Sequence, residues 1–476
     1  MRALAAALAL GVALMPPVNL RAGSWSQFRG PNATGLAVGD QKLPTRIGPS
    51  ENVLWKVPLP PGHSSPVVFA DRIYVTAVRG PALLTMCLDR LTGKTRWEAP
   101  APYNQLEKIH QIGSHAQSTP ATDGERVVSF FGSSGLLCYD TAGKLLWHLP
   151  MGPFKNDLGA GSSPVIVGDR VILNGDHDLD SFLIAVDKQT GKVLWKVDRS
   201  EFPVSYATPV IWDVAGRRQV VVSGSLRVVG YDLETGRELW TVRGMARAVH
   251  MTPCLGRDGI LYAAGWTGGG DDNDRFDVPT FTDMLARYDK NKNGTLEQDE
   301  LPEGPLKQRF GLIDRDKDGH ITGPEYEFMR HVFDTAHNRI VAIRPGGTGD
   351  VTASHVLWEQ KKHLPVVPSP LYYGGHLFLV KTGGLLTTLD ARTGKPVRQE
   401  RLPGGDGDYY SSPVGGAGKV YLISQQGRLA VVSAEGNWQV LARARFEEEV
   451  YATPALVDGR IYLRTTGHLY CFGVRP

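Results

Sequence analysis

Residues Ser162–Trp195, "SSPVIVGDRVILNGDHDLDSFLIAVDKQTGKVLW", decide the fold. A Ser-Pro pair opens a short apolar run, Gly168-Asp169-Arg170 makes a turn, and a second β-rich run follows from Val171. A third run, Phe182–Val186, ends at Asp187, and Thr190-Gly191-Lys192 turns the chain into a fourth that carries Trp195. Proline suits the first residue of a strand, where no ladder N–H is needed, and glycine supplies the positive φ of tight turns. The stretch therefore reads as four short antiparallel strands.

The unit recurs along the chain. It is seen as "SSPVVFADRIYVTAV" (Ser64–Val78) with "LTMCLDRLTGKTRW" (Leu84–Trp97), as "STPATDGERVVSFFGSSGLLCYDTAGKLLW" (Ser118–Trp147), and as "ATPVIWDVAGRRQVVVSGSLRVVGYDLETGRELW" (Ala207–Trp240). Further starts lie at Thr252-Pro253, Ser369-Pro370, Ser412-Pro413 and Thr453-Pro454. Most spacings are roughly 40–45 residues, the length of a four-stranded blade. The fold class is all-β: an eight-bladed β-propeller.

Each Trp slot lies four residues after the turn glycine: Trp97, Trp147, Trp195 and Trp240, with Trp358 in blade five. Arg398 and Val440 stand there in blades six and seven, and the eighth unit ends without a Trp strand. "SENVLWKVPL" (Ser50–Leu59) offers a spare one around Trp55. It is expected to complete blade eight and close the ring, removing open sheet edges. The register also explains the cysteines. Cys87, Cys138 and Cys471 occupy a third-strand slot filled elsewhere by Ala185, Gly230 and Thr388, and Cys254 follows a strand-opening proline. All four read as packing residues, not as a disulfide framework.

Composition narrows the function classes. The 476-residue chain holds 55 glycines, a turn-rich content, and its net charge is +3. No Lys/Arg run marks a nucleic-acid footprint. Arg2, the apolar run Ala3–Met15 and the small residues Ala22 and Gly23 read as a secretory signal over residues 1–22. No later segment is long and apolar enough to span a bilayer. The expectation is a periplasmic or secreted monomer.

One interval breaks the beat. Pro253 to Pro370 is more than twice the usual repeat, and the surplus falls between "GILYAAGW" and "NRIVAIRP", the second and third strands of blade five. The organisation is thus propeller over 23–278, a helical insertion over 279–333, and propeller again over 334–476. Within the insertion, "DKNKNGTLEQDE" (Asp289–Glu300) carries the EF-hand calcium pattern. Asp289, Asn291 and Asn293 hold positions one, three and five, and Gly294 makes the turn at six. Thr295 offers a carbonyl at seven, Glu297 lies at nine, and Glu300 is the bidentate twelfth residue. "DRDKDGHITGPE" (Asp314–Glu325) repeats it with Asp314, Asp316, Asp318, the His320 carbonyl, Thr322 and Glu325. Leu296 and Ile321 at position eight should pair. Two such loops in tandem, flanked by "FTDMLARY", "PLKQRFGLI" and "YEFMRHVF", predict a small α-helical EF-hand pair with two Ca²⁺ sites. Pro302, Gly304 and Pro305 shorten the first exiting helix to a stub, which points to a structural site and not a sensor.

In a propeller, loops joining strand four to the next strand one gather with strand-two-to-three loops on one face. The insertion belongs to that face, just after "GWTGGGDDND" with Trp266. The residues three before each strand-opening proline report on the ring nearest the channel: His63, Gln117, Gly161, Tyr206, His250, Val367, Tyr410 and Tyr451. The polar members, with Trp266 and with Asp180 from "GDHDLDSF", are the candidate ligand-binding residues. The ligand expected there is a protein, a glycan or a small molecule.

The repeated "D…TGK…W" with "SSPV" strands resembles pyrroloquinoline-quinone-like propeller repeats, over about residues 25 to 476 apart from the insertion. Such repeats occur in quinoprotein alcohol dehydrogenases and in the lipoprotein of the outer-membrane barrel-assembly machinery. "WSQFRGPNATG" and "SENVLWKVPLP" look like the secreted quinone-like propellers of planctomycete-type bacteria. The dehydrogenases imply an alternative function, oxidoreduction with pyrroloquinoline quinone over the channel, Trp266 or a channel Tyr stacking on it and Asp180 acting as base. The chain departs from that family in lacking its vicinal Cys-Cys pair, and from the lipoprotein in lacking a cysteine near the signal cleavage point. No nucleophile elbow, phosphate loop or zinc helix is present.

Overall fold

A computed structural model describes residues 23–474 apart from Asp40, Gln41, Pro203 and Phe276. The expected signal segment, 1–22, lies outside the described residues. The chain forms an eight-bladed propeller whose blades are antiparallel sheets of four strands, two of them carrying an extra strand. Blade three is representative, with strands Val165–Val167, Arg170–Gly175, Phe182–Asp187 and Val193–Asp198. Blade eight closes the ring as expected. Val53–Pro58 from the N-terminal part pairs antiparallel with His468–Gly473, the last described strand, and brings Trp55 opposite Cys471.

The repeated residues hold neighbouring blades together. Trp195 donates its indole N–H to the Leu233 carbonyl of the next blade at 3.1 Å and lies flat on Gly236. A Cβ at Gly236, which has φ +73°, would come within 2.7 Å of that ring. The same pairing joins Trp55 to Gly93, Trp97 to Gly143, Trp147 to Gly191 and Trp358 to Gly394. Glycine is thus needed twice at this turn, for its positive φ and for the indole above it. Trp240 differs because blade five has no such turn: it bonds Gln219 within its own blade and meets Trp212 edge-on. Arg398 fills the slot in blade six by lying 4.3 Å over Trp438 of blade seven. Blade seven corrects the sequence reading. Its turn is one residue longer, so Ala442, not Val440, pairs with Val431 in the register that matches Trp97 to Cys87.

The blade cores are built from β-branched and aromatic residues packed between adjacent sheets. All four cysteines are buried and free, and burial pushes their thiols up to about 11 or 12.

Two segments stand outside the repeat. Residues 24–37 run along the innermost strands: Ser24 and Trp25 pair with Phe69 and Val68, Asn32 bonds Ile211, and Leu36 bridges Gly415. The segment touches blades one, four and seven, so it crosses the propeller axis as a plug. The insertion contains helices α1 (Phe281–Tyr288), α2 (Pro305–Gln308), α3 (Phe310–Ile313) and α4 (Gly323–Thr335). It has its own small core of Met284, Leu296, Leu301, Phe310, Ile313, Ile321 and Tyr326. No helix among the described residues is long and apolar enough to cross a membrane.

Candidate functional site

The residue just before each strand-opening proline is Ser or Thr, and the eight form a closed circuit. The Ser65 N–H donates to Thr119 Oγ1, Thr119 to Ser163, Ser163 to Thr208 and Thr208 to Thr252, all at 2.9–3.1 Å. Thr252 then donates to Ser369, Ser369 to Ser412, Ser412 to Thr453, and Thr453 back to Ser65, each at 3.0 Å. Each hydroxyl thus satisfies one inward backbone donor of the preceding blade.

Two residues earlier lie the ring positions, and all eight, from His63 round to Tyr451, line one cavity of about 160 Å³ together with those Ser and Thr residues. Ile112 and Gly113 from the long loop between blades one and two, and Phe28 from the plug, complete the wall. The aromatic members pair across blade boundaries. His63 stacks on Tyr451 at 3.9 Å, Tyr410 lies 5.3 Å from Tyr451, and Tyr206 stacks on His250 at 4.8 Å. Gln117 donates to the Leu158 carbonyl, Tyr206 to Asn156 Oδ1 and Tyr451 to Glu449, which fixes their orientation. Desolvation, with Arg464 nearby, pushes His63 down to about 4. Desolvation alone takes His250 to about 4, and its Nδ1 has no partner. Both imidazoles are therefore neutral at pH 7.

Two candidates from the sequence lie elsewhere. Asp180 is exposed in the second loop of blade three, and Trp266 donates to Asp271 beside blade five; neither lines the cavity. Asp176, in the same loop as Asp180, forms a fully buried ion pair with Arg199 at 2.7 Å. The sequence reading missed the Ser/Thr circuit, although the dipeptide before every blade spells it, and it missed Phe28 and Arg29 of the plug.

Pyrroloquinoline quinone does not fit this cavity. The volume is about half the ~300 Å³ at which ligand pockets begin. Among the described residues, the lining offers no carboxylate to hold a metal beside the quinone and no cysteine pair to stack on it.

The insertion stands beside the same opening. Lys155, next to Asn156, donates to the Gly311 carbonyl at 3.4 Å, and Arg315 donates to the Ser200 carbonyl at 2.9 Å. Arg247 lies over Phe333 at 4.6 Å. Leu296 pairs with Ile321 in a two-stranded bridge between the two loops. In the first loop, Glu300 reaches back to accept the N–H groups of Lys290 and Asn291, while Asp289 accepts those of Asn293 and Gly294. Glu297 takes the side chains of Asn293 and His320, so the His320 ring of the second loop reaches the first. In the second loop, Glu325 accepts from Arg315 N–H and Thr322, and Asp314 from Gly319. Asp318 accepts the His320 N–H.

Ligand oxygens of Asp314, Asp316 and Glu325 lie within 4.8 Å of one another, an acidic cluster that could hold a metal ion. Oxygens 2.3–2.6 Å from one Ca²⁺ are separated by at most about 5 Å, so the spread matches such an ion. Asp314 is 5% exposed and its Oδ1 has no partner. A buried carboxylate oxygen without a donor is what a cation would satisfy.

Compared with known proteins, residues 86–265 and 324–475 match the family of outer membrane protein assembly factor BamB. The chain belongs to that family. No curated protein matches it in sequence. Among solved structures, BamB from Moraxella catarrhalis aligns with a TM-score of 0.54 at 15% identity, over 89% of this chain and 97% of that one. The computationally designed Ika8 protein aligns with a TM-score of 0.54 at 13% identity, over 92% and 100%. A quinohemoprotein alcohol dehydrogenase from Comamonas testosteroni aligns at 0.42 and 15%, over 95% and 81%. At these identities the likenesses concern the fold.

Proposed function

We propose that this BamB-family chain is an exported, calcium-binding propeller whose channel mouth docks a loop of a partner protein. The observation that carries the reading is the convergence of all eight ring positions on one cavity of about 160 Å³. That space takes one inserted side chain, not a drug-sized molecule. Its walls are stacked His and Tyr rings with oriented polar tips, and Tyr is among the side chains enriched at protein-recognition hot spots. A partner loop would place one residue in the opening and lay its flanks on the aromatic rim.

Calcium in the two loops would stiffen the insertion beside that rim. Asp289, Asn291, Asn293, the Thr295 carbonyl, Glu297 and Glu300 would hold one ion. Asp314, Asp316, Asp318, the His320 carbonyl, Thr322 and Glu325 would hold the other. Arg315 follows Asp314 directly and bonds blade three at Ser200, so order in the second loop is passed to the propeller. The expected signal segment and the assembly-factor family support a location outside the cytoplasm.

The test is selection from a displayed library of loop peptides on the calcium-loaded protein, counter-screened against a Tyr206→Ala, Tyr451→Ala double variant. Binders that lose at least tenfold in affinity on the variant support the reading. Binders indifferent to both tyrosines, or tight uptake of pyrroloquinoline quinone with turnover of alcohols, defeat it.

A further inference from the structure

Two guanidinium groups behind the cavity wall lack counter-charges. Arg29, in the plug, is fully buried and follows Phe28, which lines the cavity. Its Nη2 donates to the Pro370 carbonyl at 2.8 Å, one residue beyond the cavity hydroxyl of Ser369, while Nε and Nη1 have no partner. Arg464, in blade eight, is 1% exposed. It donates to the carbonyl and hydroxyl of Ser64, which lies between the cavity residues His63 and Ser65, and its Nε has no partner. No carboxylate among the described residues pairs with either. Blade three shows the usual solution, Arg199 clamped by Asp176 with both side chains fully buried. A buried cation without such a partner is costly, and the cost is relieved by an anion nearby.

The cavity supplies the rest of an anion site. Each of the eight circuit hydroxyls already accepts a backbone N–H, and its own proton finds no acceptor among the described residues. All eight residues line the cavity, whose wall contains no Asp or Glu among the described residues. The unpartnered Nδ1 of His250 belongs to the same wall. A ring of hydroxyl donors backed by two positive charges, with no negative charge inside, favours an anion.

We infer that the propeller channel binds a small oxyanion of the carboxylate class, held by the Ser/Thr circuit with Arg29 and Arg464 supplying charge from behind the wall. Its source is either a free anion or the Asp or Glu side chain of a docked loop. Only the second source rests on the docking function proposed above.

The experiment uses the full calcium-loaded chain and sodium formate as probe, with gluconate, too bulky for the cavity, at equal ionic strength as reference. Formate is expected to bind by calorimetry and to raise Tm where gluconate does not, and bromide soaked into crystals should give an anomalous peak on the channel axis. Because Arg29→Met or Arg464→Met risks misfolding, Val367 carries the mutational test. Val367→Asp places a carboxylate in the cavity and should weaken formate at least tenfold, while Val367→Asn should retain it. A capped Gly-Gly-Asp-Gly-Gly peptide that competes with formate, where its Asn twin does not, assigns the site to a partner's carboxylate. Formate binding without peptide competition assigns it to a free anion. No preference for formate over gluconate, or a formate response unchanged by Val367→Asp, overturns the inference. That result would leave loop docking standing, since the library selection reads it separately.

Discussion

Replacing Ser163 by Ala removes one oxygen from the Ser/Thr circuit and nothing else. The Thr119 N–H, 3.0 Å from Ser163 Oγ, then faces a wall where Thr119 and Ser163 are each 2% exposed. A hydrogen bond exchanged for water contributes about 0.5–1.5 kcal/mol, but a buried donor left unpaired costs about 1–3 kcal/mol. No methylene is lost and no cavity of side-chain size opens, so the unpaired donor is the whole effect. Ser163→Ala should therefore destabilise by about 1–3 kcal/mol, and Ser163→Thr, which restores the residue type of blades two, four, five and eight, should recover most of it. Urea unfolding followed by tryptophan fluorescence gives the global change at constant m. Amide exchange at Thr119 gives the local one, a loss of protection of roughly tenfold per 1.4 kcal/mol. Stability and Thr119 protection both unchanged in Ser163→Ala would refute the idea that the circuit holds the blades together.

Gly236→Ala forces a Cβ to 2.7 Å from Trp195 at a φ of +73°, and should cost more than Trp195→Phe, which removes the indole donor to Leu233 and part of the ring but adds no clash; urea midpoints would rank the two. His63 and His250, pushed down to about 4, and His177, pushed down to about 3 by burial, are neutral when folded but charge near 6.5 when unfolded. The unfolded state then binds more protons between about pH 6.5 and 4, so stability should fall as pH drops through that window, by about 1.4 kcal/mol per pH unit for each histidine. Asp178, raised to about 6 by burial and Asp157, works in the opposite sense and offsets part of the loss, and a His177→Gln variant should flatten the urea-measured profile. Calorimetric titration with Ca²⁺ should show two sites, and Glu300→Gln with Glu325→Gln should weaken both at least tenfold; unchanged binding would remove the metal assignment.

The blade count, the strand order and the closing role of Trp55 were legible because each rests on residues that repeat at fixed spacing. The glycine of the "TGK" turn and the tryptophan four residues on form one contact between neighbouring blades, so periodicity alone exposes them. The position three before each proline was legible for the same reason, and its eight residues do meet at one cavity. Asp180 and Trp266 stand away from the cavity, since loop order states which face a residue belongs to, not how far it stands from the axis. Val440 was misassigned through one extra turn residue, which shifts a strand's register without altering its composition. The plug was invisible for a different reason. "WSQFRGPNATG" has no counterpart elsewhere in the chain, and its contacts, from Phe69 to Gly415, lie tens to hundreds of residues away.

The most direct measurement is a hydrogen–deuterium exchange footprint of a library-selected loop peptide on the calcium-loaded protein. Docking at the channel mouth predicts protection in segments 110–117, 156–161, 204–206, 248–250 and 408–412, with the outer strand Val193–Asp198 unchanged. Protection confined to outer strands, such as Val440–Arg445 with the groove that Leu441 and Arg443 line, would contradict it.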